Sequence, residues 1–212
     1  MRKLTVVSIL FLSILYFFQP VCQAMHVVSS REIASFDTSG LWGNTASVRT
    51  VGQWNEYIRF TFYVPDNYNG KIHGSFLVSG NANNINLDFL PGGVIKIFEF
   101  KAVDPDMVFW IVKDGTGNDS GLTHDFYLIG PYSDYYTTYA DMSNIVTMGW
   151  NSTHMKVVQL SDDAWPVLQG FADSGSSNVL QENLVLSWDD TAQWFKMTNY
   201  PLDTMVHEIK AQ

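Results

Sequence analysis

Asp114, Asn118 and Asp119 fall in one polar run, Asp114-Gly115-Thr116-Gly117-Asn118-Asp119-Ser120-Gly121. Carboxylate and amide oxygens on a glycine-rich loop are the donors that calcium takes, roughly six to eight at a time. Asp104 and Asp106 could add more. The spacing is that of neither an EF-hand loop nor a nonapeptide calcium repeat, and Asp, Asn and Gly are also ordinary turn residues. Calcium is therefore one reading of the loop and a solvated hairpin turn the other. Asn118-Asp119-Ser120-Gly121 comes near the Gly-Asp-Ser-Gly of serine proteases. Asparagine replaces the first glycine, however, Leu122 stands where a second glycine belongs, and no histidine lies in a suitable upstream motif. No Gly-x-Ser-x-Gly elbow occurs either. The five histidines (His26, His73, His124, His154 and His207) form no close pair with zinc-ligand spacing. The acid pairs Asp162-Asp163 and Asp189-Asp190 are adjacent in sequence, whereas glycosidase carboxylates flank a cleft about 5–10 Å wide. The residues therefore point away from hydrolytic chemistry.

Aromatic side chains offer binding chemistry instead. Seven tryptophans lie beyond residue 24. Trp110 and Trp188 sit in strongly apolar segments and read as core. Trp42, Trp54 and Trp165 adjoin turn residues and read as exposed rings, which stack on sugar faces. Tyr132, Tyr135, Tyr136 and Tyr139, interleaved with Ser133, Asp134, Thr137 and Thr138, form a second candidate surface. Tyrosine supplies a rigid ring with a hydroxyl, which suits recognition. A packed loop or edge strand is the competing reading of that cluster. Asn118-Asp119-Ser120 and Asn151-Ser152-Thr153 match the N-glycosylation sequon.

Positioning these residues falls to β-strands. Glu56 to Val64 alternates cleanly, with Ile58, Phe60, Phe62 and Val64 on one face and Tyr57, Arg59, Thr61 and Tyr63 on the other. Lys71 to Ser79 and Asn84 to Phe89 alternate likewise between Gly, Asn and Pro turn clusters. Met107 to Lys113 is apolar at nearly every position and predicts a strand buried on both faces. Further strands are expected at 94–101, 123–129, 145–150, 154–160, 184–188, 194–198 and 204–209, with short helical turns at 135–142 and 164–171. Met25 to Phe36 reads as a lead-in strand or arm. About eleven short strands without helical periodicity predict an all-β fold, an antiparallel β-sandwich of jelly-roll or immunoglobulin-like type. No linker divides residues 25–212, which read as a single β-sandwich domain.

Ahead of it, Met1-Arg2-Lys3, the apolar run Leu4 to Phe18, and small residues at Cys22 and Ala24 match a signal peptide, residues 1–24, cut after Ala24. The run is shorter than the roughly 18–20 residues that span a bilayer, and no later segment is long and apolar enough, so no stable membrane insertion is expected. The chain's single cysteine, Cys22, lies in the removed piece, so the mature chain has no disulfide and depends on its core. Loss of Arg2 and Lys3 takes the formal net charge from −9 to −11. Nucleic acid is not expected as a partner, because phosphate binding needs clustered Lys and Arg. A secreted location is expected, extracellular, or periplasmic in a bacterium.

From Asp106 to Asp163 the chain resembles DOMON-type domains, extracellular β-sandwiches that bind haem or sugars. The resemblance is carried by Asp106-Met107-Val108-Phe109-Trp110-Ile111-Val112 with the turn Lys113-Asp114-Gly115. It continues through Leu122 to Tyr127, Gly130-Pro131-Tyr132, and His154 to Leu160. It implies a ligand-binding role. Haem-binding members use a methionine and a histidine as axial ligands, and Met107, Met155 and His154 are residues of those types in this stretch. The function expected is a secreted, non-catalytic ligand-binding module, with carbohydrate first and an extracellular protein as the other partner. The alternatives are a structural or adhesive interaction domain and a haem-binding redox module.

Overall fold

The computed structural model describes residues 26–65, 71–80, 84–89, 93–103, 106–114, 126–149, 154–175 and 177–211. The expected signal peptide, both sequons and the calcium candidates Asn118 and Asp119 lie outside the described residues.

Fourteen strands are described. In chain order they are β1 (His26–Asp37), β2 (Thr45–Val51), β3 (Tyr57–Tyr63), β4 (Ile72–Val78), β5 (Asn84–Phe89), β6 (Val94–Val103) and β7 (Met107–Asp114). Then follow β8 (Phe126–Tyr132), β9 (Tyr135–Asp141), β10 (His154–Gln159), β11 (Pro166–Ser174), β12 (Ser177–Asp189), β13 (Trp194–Asn199) and β14 (His207–Glu208). They form three antiparallel sheets, ordered β1-β6-β7-β8-β9, β2-β3-β4-β5 and β13-β12-β11-β10-β14. Each is built on an up-and-down meander of four consecutive strands; two of them gain one further edge strand.

The expected antiparallel sandwich is thus present, with three layers. The first sheet is the middle one, because its alternating side chains enter two separate cores. Ile95, Ile97, Trp110 and Val112 pack with Phe60, Phe62, Phe76 and Leu87 of the β2–β5 sheet. Phe98, Phe100, Phe109 and Ile111 pack with Val157, Leu168, Leu186 and Phe195 of the β10–β14 sheet. This accounts for the unbroken apolar character of Met107 to Val112: a strand covered on both faces has no solvent side to make polar.

Three local expectations differ. Residues 145–150, read as a strand, overlap the described helix α1 (Met142–Thr147), which Asp141 caps by accepting from the Ser143 N–H at 2.9 Å while Asn144 reaches back to the Asp141 N–H. That pair of reciprocal bonds satisfies helix-end donors and outweighs β-branched propensity. Residues 135–141 and 166–174, read in part as helical turns, are strands β9 and β11. β11 hydrogen-bonds strands on both sides, so pairing rather than local propensity decides its state.

Packing between β4 and its neighbours leaves no room at Gly74. A Cβ there would stand 2.7 Å from the Phe62 ring and crowd the Leu87 carbonyl. Gly74→Ala is expected to lower unfolding stability by about 1–3 kcal/mol, read as a fall in the urea midpoint at unchanged slope.

Candidate functional site

One turn from each of the three sheets converges on the same cleft. The β2–β3 connection supplies Gln53 and Trp54, the β8–β9 hairpin supplies Tyr132 and Ser133, and the β12–β13 turn supplies Gln193. Asp106, Met107, Pro131, Tyr139 and Trp188 complete the lining of a cleft of about 260 Å³. Asn55, Ser133 and Gln193, with φ of 63°, 56° and 51°, are the non-glycine residues in the left-handed region among the described residues. Each sits in one of these three turns. Side chains other than glycine pay a steric cost there, and such strained conformations concentrate at functional sites.

Each turn is held by its own hydrogen bonds. Gly52 N–H donates to the Glu56 carbonyl at 2.9 Å. The Gln53 amide bridges to the start of β7, donating to the Asp106 carbonyl at 2.9 Å and accepting from Val108 N–H at 2.7 Å. The Tyr136 hydroxyl donates to the Glu56 carboxylate and accepts from Gln53 N–H. Trp54 N–H donates to the same carboxylate group at 2.8 Å. In the third turn Asp189 accepts from Thr191 and Ala192 N–H at 3.0 and 3.1 Å. Those amide bonds hold its carboxyl below the usual carboxylate range.

The aromatic rings form two groups beside the cleft. Trp54 meets Tyr136 edge-on at 5.0 Å, Tyr132 meets Tyr135 at 5.6 Å and Trp194 at 5.9 Å, and Trp194 meets Tyr139 at 4.5 Å. Trp194 also donates its indole N–H to the Tyr139 carbonyl at 3.1 Å. T-shaped pairs of this kind each add a fraction of a kcal/mol beyond area burial and fix the ring planes.

The expected site residues divide accordingly. Trp54 and Tyr132 are exposed and line the cleft, and the exposed Tyr135 packs against Tyr132. Tyr136 and Tyr139 are 2% and 4% exposed and belong to the two cores, and Tyr139 meets the cleft with only that small exposed part. Burial first, then the hydrogen bond to Glu56, pushes the Tyr136 phenol above its ordinary range; burial does the same at Tyr139. Both hydroxyls stay protonated and serve as anchors. Trp165 is partly buried against Phe109 and Phe195. Trp42 is exposed in the β1–β2 connection and does not line the cleft. Asp114 is 1% exposed, a burial that suits a packed strand end rather than an open loop ligand. Among the described residues no three His, Cys, Asp or Glu side chains gather as metal ligands. Met107 lines the cleft whereas His154 and Met155 line a second cavity.

The sequence alone does not mark Trp188, Gln53 and Gln193 as cleft residues, nor Trp194 as the ring packed behind Tyr132 and Tyr139. Trp188 carries a distinct signal: its indole N–H is buried and without an acceptor among the described residues. An unpaired buried donor costs about 1–3 kcal/mol, and here it lies in the lining of the cleft. A separate depression of about 430 Å³ on the outer face of the β2–β5 sheet carries Arg49, Arg59 and Tyr57. The two guanidinium groups occupy directly opposed register positions, so that surface has a cationic character the end cleft lacks.

Gly52 is the hinge of the first turn. A Cβ there would overlap the Glu56 carboxylate and the Tyr136 hydroxyl. Gly52→Ala is expected to break their hydrogen bond and displace Trp54. The readout is an altered near-ultraviolet circular dichroism with far-ultraviolet signal retained.

No helix among the described residues is long and apolar enough to cross a membrane. Comparison with protein-family models, with curated proteins and with solved structures finds no match.

Proposed function

We propose that the chain is a secreted, non-catalytic carbohydrate-binding module whose site is the end cleft between Trp54, Tyr132 and Trp188. The observation that carries the reading is the convergence of three strained turns, one per sheet, on exposed aromatic rings flanked by amides, a hydroxyl and one carboxylate. Sugars present apolar C–H faces bounded by hydroxyls. Rings of Trp54 and Tyr132 match the faces. Gln53, Asp106, Ser133 and Gln193 match the hydroxyl rim, as amides and hydroxyls both donate and accept. A sugar oxygen would give the Trp188 N–H an acceptor, which it does not find among the described residues.

The overall acidity, a formal net charge of −9, favours a neutral glycan over an acidic one. The cleft is small, which suits one or two sugar units rather than a long chain. A glycan array probed with the purified protein tests this. Retention of neutral mono- or oligosaccharides, competed by the same free sugar, is expected. Silence across the neutral glycans would remove the proposal.

A further inference from the structure

Lys113 sits 5% exposed at the end of β7, on the side that faces the β10–β14 sheet. Its ammonium has three N–H donors and, among the described residues, one acceptor, the Met155 carbonyl at 2.7 Å. Desolvating an ammonium costs several kcal/mol unless a carboxylate and further hydrogen bonds compensate it. Of the nearby carboxylates, Asp114 and Glu32 favour the Lys113 charge, while Glu32 and Glu208 also face other lysines. Glu32 of β1 pairs with Lys96 at 2.8 Å, and Glu208 of β14 lies 3.9 Å from Lys156. Lys96 is also the direct cross-strand partner of Lys113, an arrangement that like charges disfavour. Asp114, next in the chain, and His154 of β10 are the other ionisable groups close by.

These groups surround a cavity of about 630 Å³, larger than the end cleft. Its lining carries three lysines and two glutamates, an excess of one positive charge that Asp114 beside it offsets in part. Apart from Asn178 its remaining walls are apolar, including Val94, Phe98, Val157, Phe171 and Ile209. Apolar walls converging on a few fixed polar groups, at this volume, are what small-molecule sites are made of. The apolar part of the lining suits a hydrocarbon body, and the lysines suit an anionic head group.

We infer that this cavity binds an amphipathic carboxylate, its head group paired with the Lys113 ammonium and its hydrocarbon body against the apolar walls. The carboxylate supplies the acceptor that the buried ammonium needs. Burial pushes the Lys113 ammonium down to about 8. It is therefore charged at neutral pH, and the pairing weakens as pH rises past that value.

Decanoate, decanol and acetate titrated into the purified protein by calorimetry at pH 7 separate the contributions. Decanoate is expected to bind at least tenfold more tightly than either of the others. Lys113→Met fills similar space without a charge, so it should melt no lower than the parent protein and lose at least tenfold in decanoate affinity. Trp54→Ala should leave decanoate binding unchanged, which keeps this site distinct from the glycan cleft. Equal binding of decanoate and decanol, full decanoate affinity in Lys113→Met, or no decanoate binding at all would each overturn the inference.

Discussion

Arg31→Met is expected to destabilise the protein by about 3 kcal/mol, because it strands the buried Glu99 carboxylate. Glu99 is 2% exposed in the middle sheet, on the face turned toward the β2–β5 sheet. It accepts from Arg31 Nε at 2.8 Å, with Nη2 at 2.6 Å, from the Thr50 hydroxyl of β2, and from the Trp110 indole N–H at 3.3 Å. One carboxylate thereby links Thr50 of the β2–β5 sheet to two strands of the middle sheet. Removing one member of a buried ion pair costs about 3–5 kcal/mol, since the other charge stays desolvated. Arg31 is one-third exposed, and water reaching the site places the effect at the low end. Glu99→Gln should cost less, because a neutral amide still accepts from Thr50 or Trp110. Urea unfolding of the two variants gives the order, and an Arg31→Met loss below about 1 kcal/mol would contradict the role given to the pair.

Trp54→Ala and Tyr132→Ala are each expected to weaken glycan binding by about 2 kcal/mol, roughly thirtyfold, the scale of aromatic anchors at binding hot spots. Both rings are more than 40% exposed, so truncation removes little core and the melting temperature should move by only a few degrees. Trp42→Ala is the matched control. Trp42 is at least as exposed as Trp54 but lies away from the cleft, and its loss should leave affinity unchanged. If Trp42→Ala weakened binding as much as Trp54→Ala, the ligand would be held by general aromatic stickiness and not at the cleft.

Strand content was legible because alternation in Tyr57 to Tyr63 and Ile72 to Val78 is a local property of the chain. The third layer was legible only at Met107 to Val112, whose two-sided burial demands a sheet on each face. Which aromatics belong to the site was half legible. Trp54 and Tyr132 adjoin turn residues and are exposed as expected. Tyr136 and Tyr139 share the composition of their neighbours, yet alternation along β9 and the irregularity between Leu128 and Ile129 in its pairing with β8 send them into opposite cores. Trp188 and Trp194 were hidden because the β12–β13 turn meets the other two turns only in three dimensions. Lys113 lay at the end of an apolar strand, where a lysine ordinarily reaches solvent; the packing of β10 across it keeps it inside.

Whether a glycan sits in the end cleft is read from the indole N–H region of a proton–nitrogen correlation spectrum. Seven tryptophans give seven resonances, assigned by single substitutions. On titration with the glycan retained by the array, Trp54, Trp188 and Trp194 should shift. Trp188 should move downfield as its N–H gains an acceptor, while the fully buried Trp110 should stay in place. Binding that leaves Trp54 and Trp188 unmoved would place the ligand elsewhere and contradict the account.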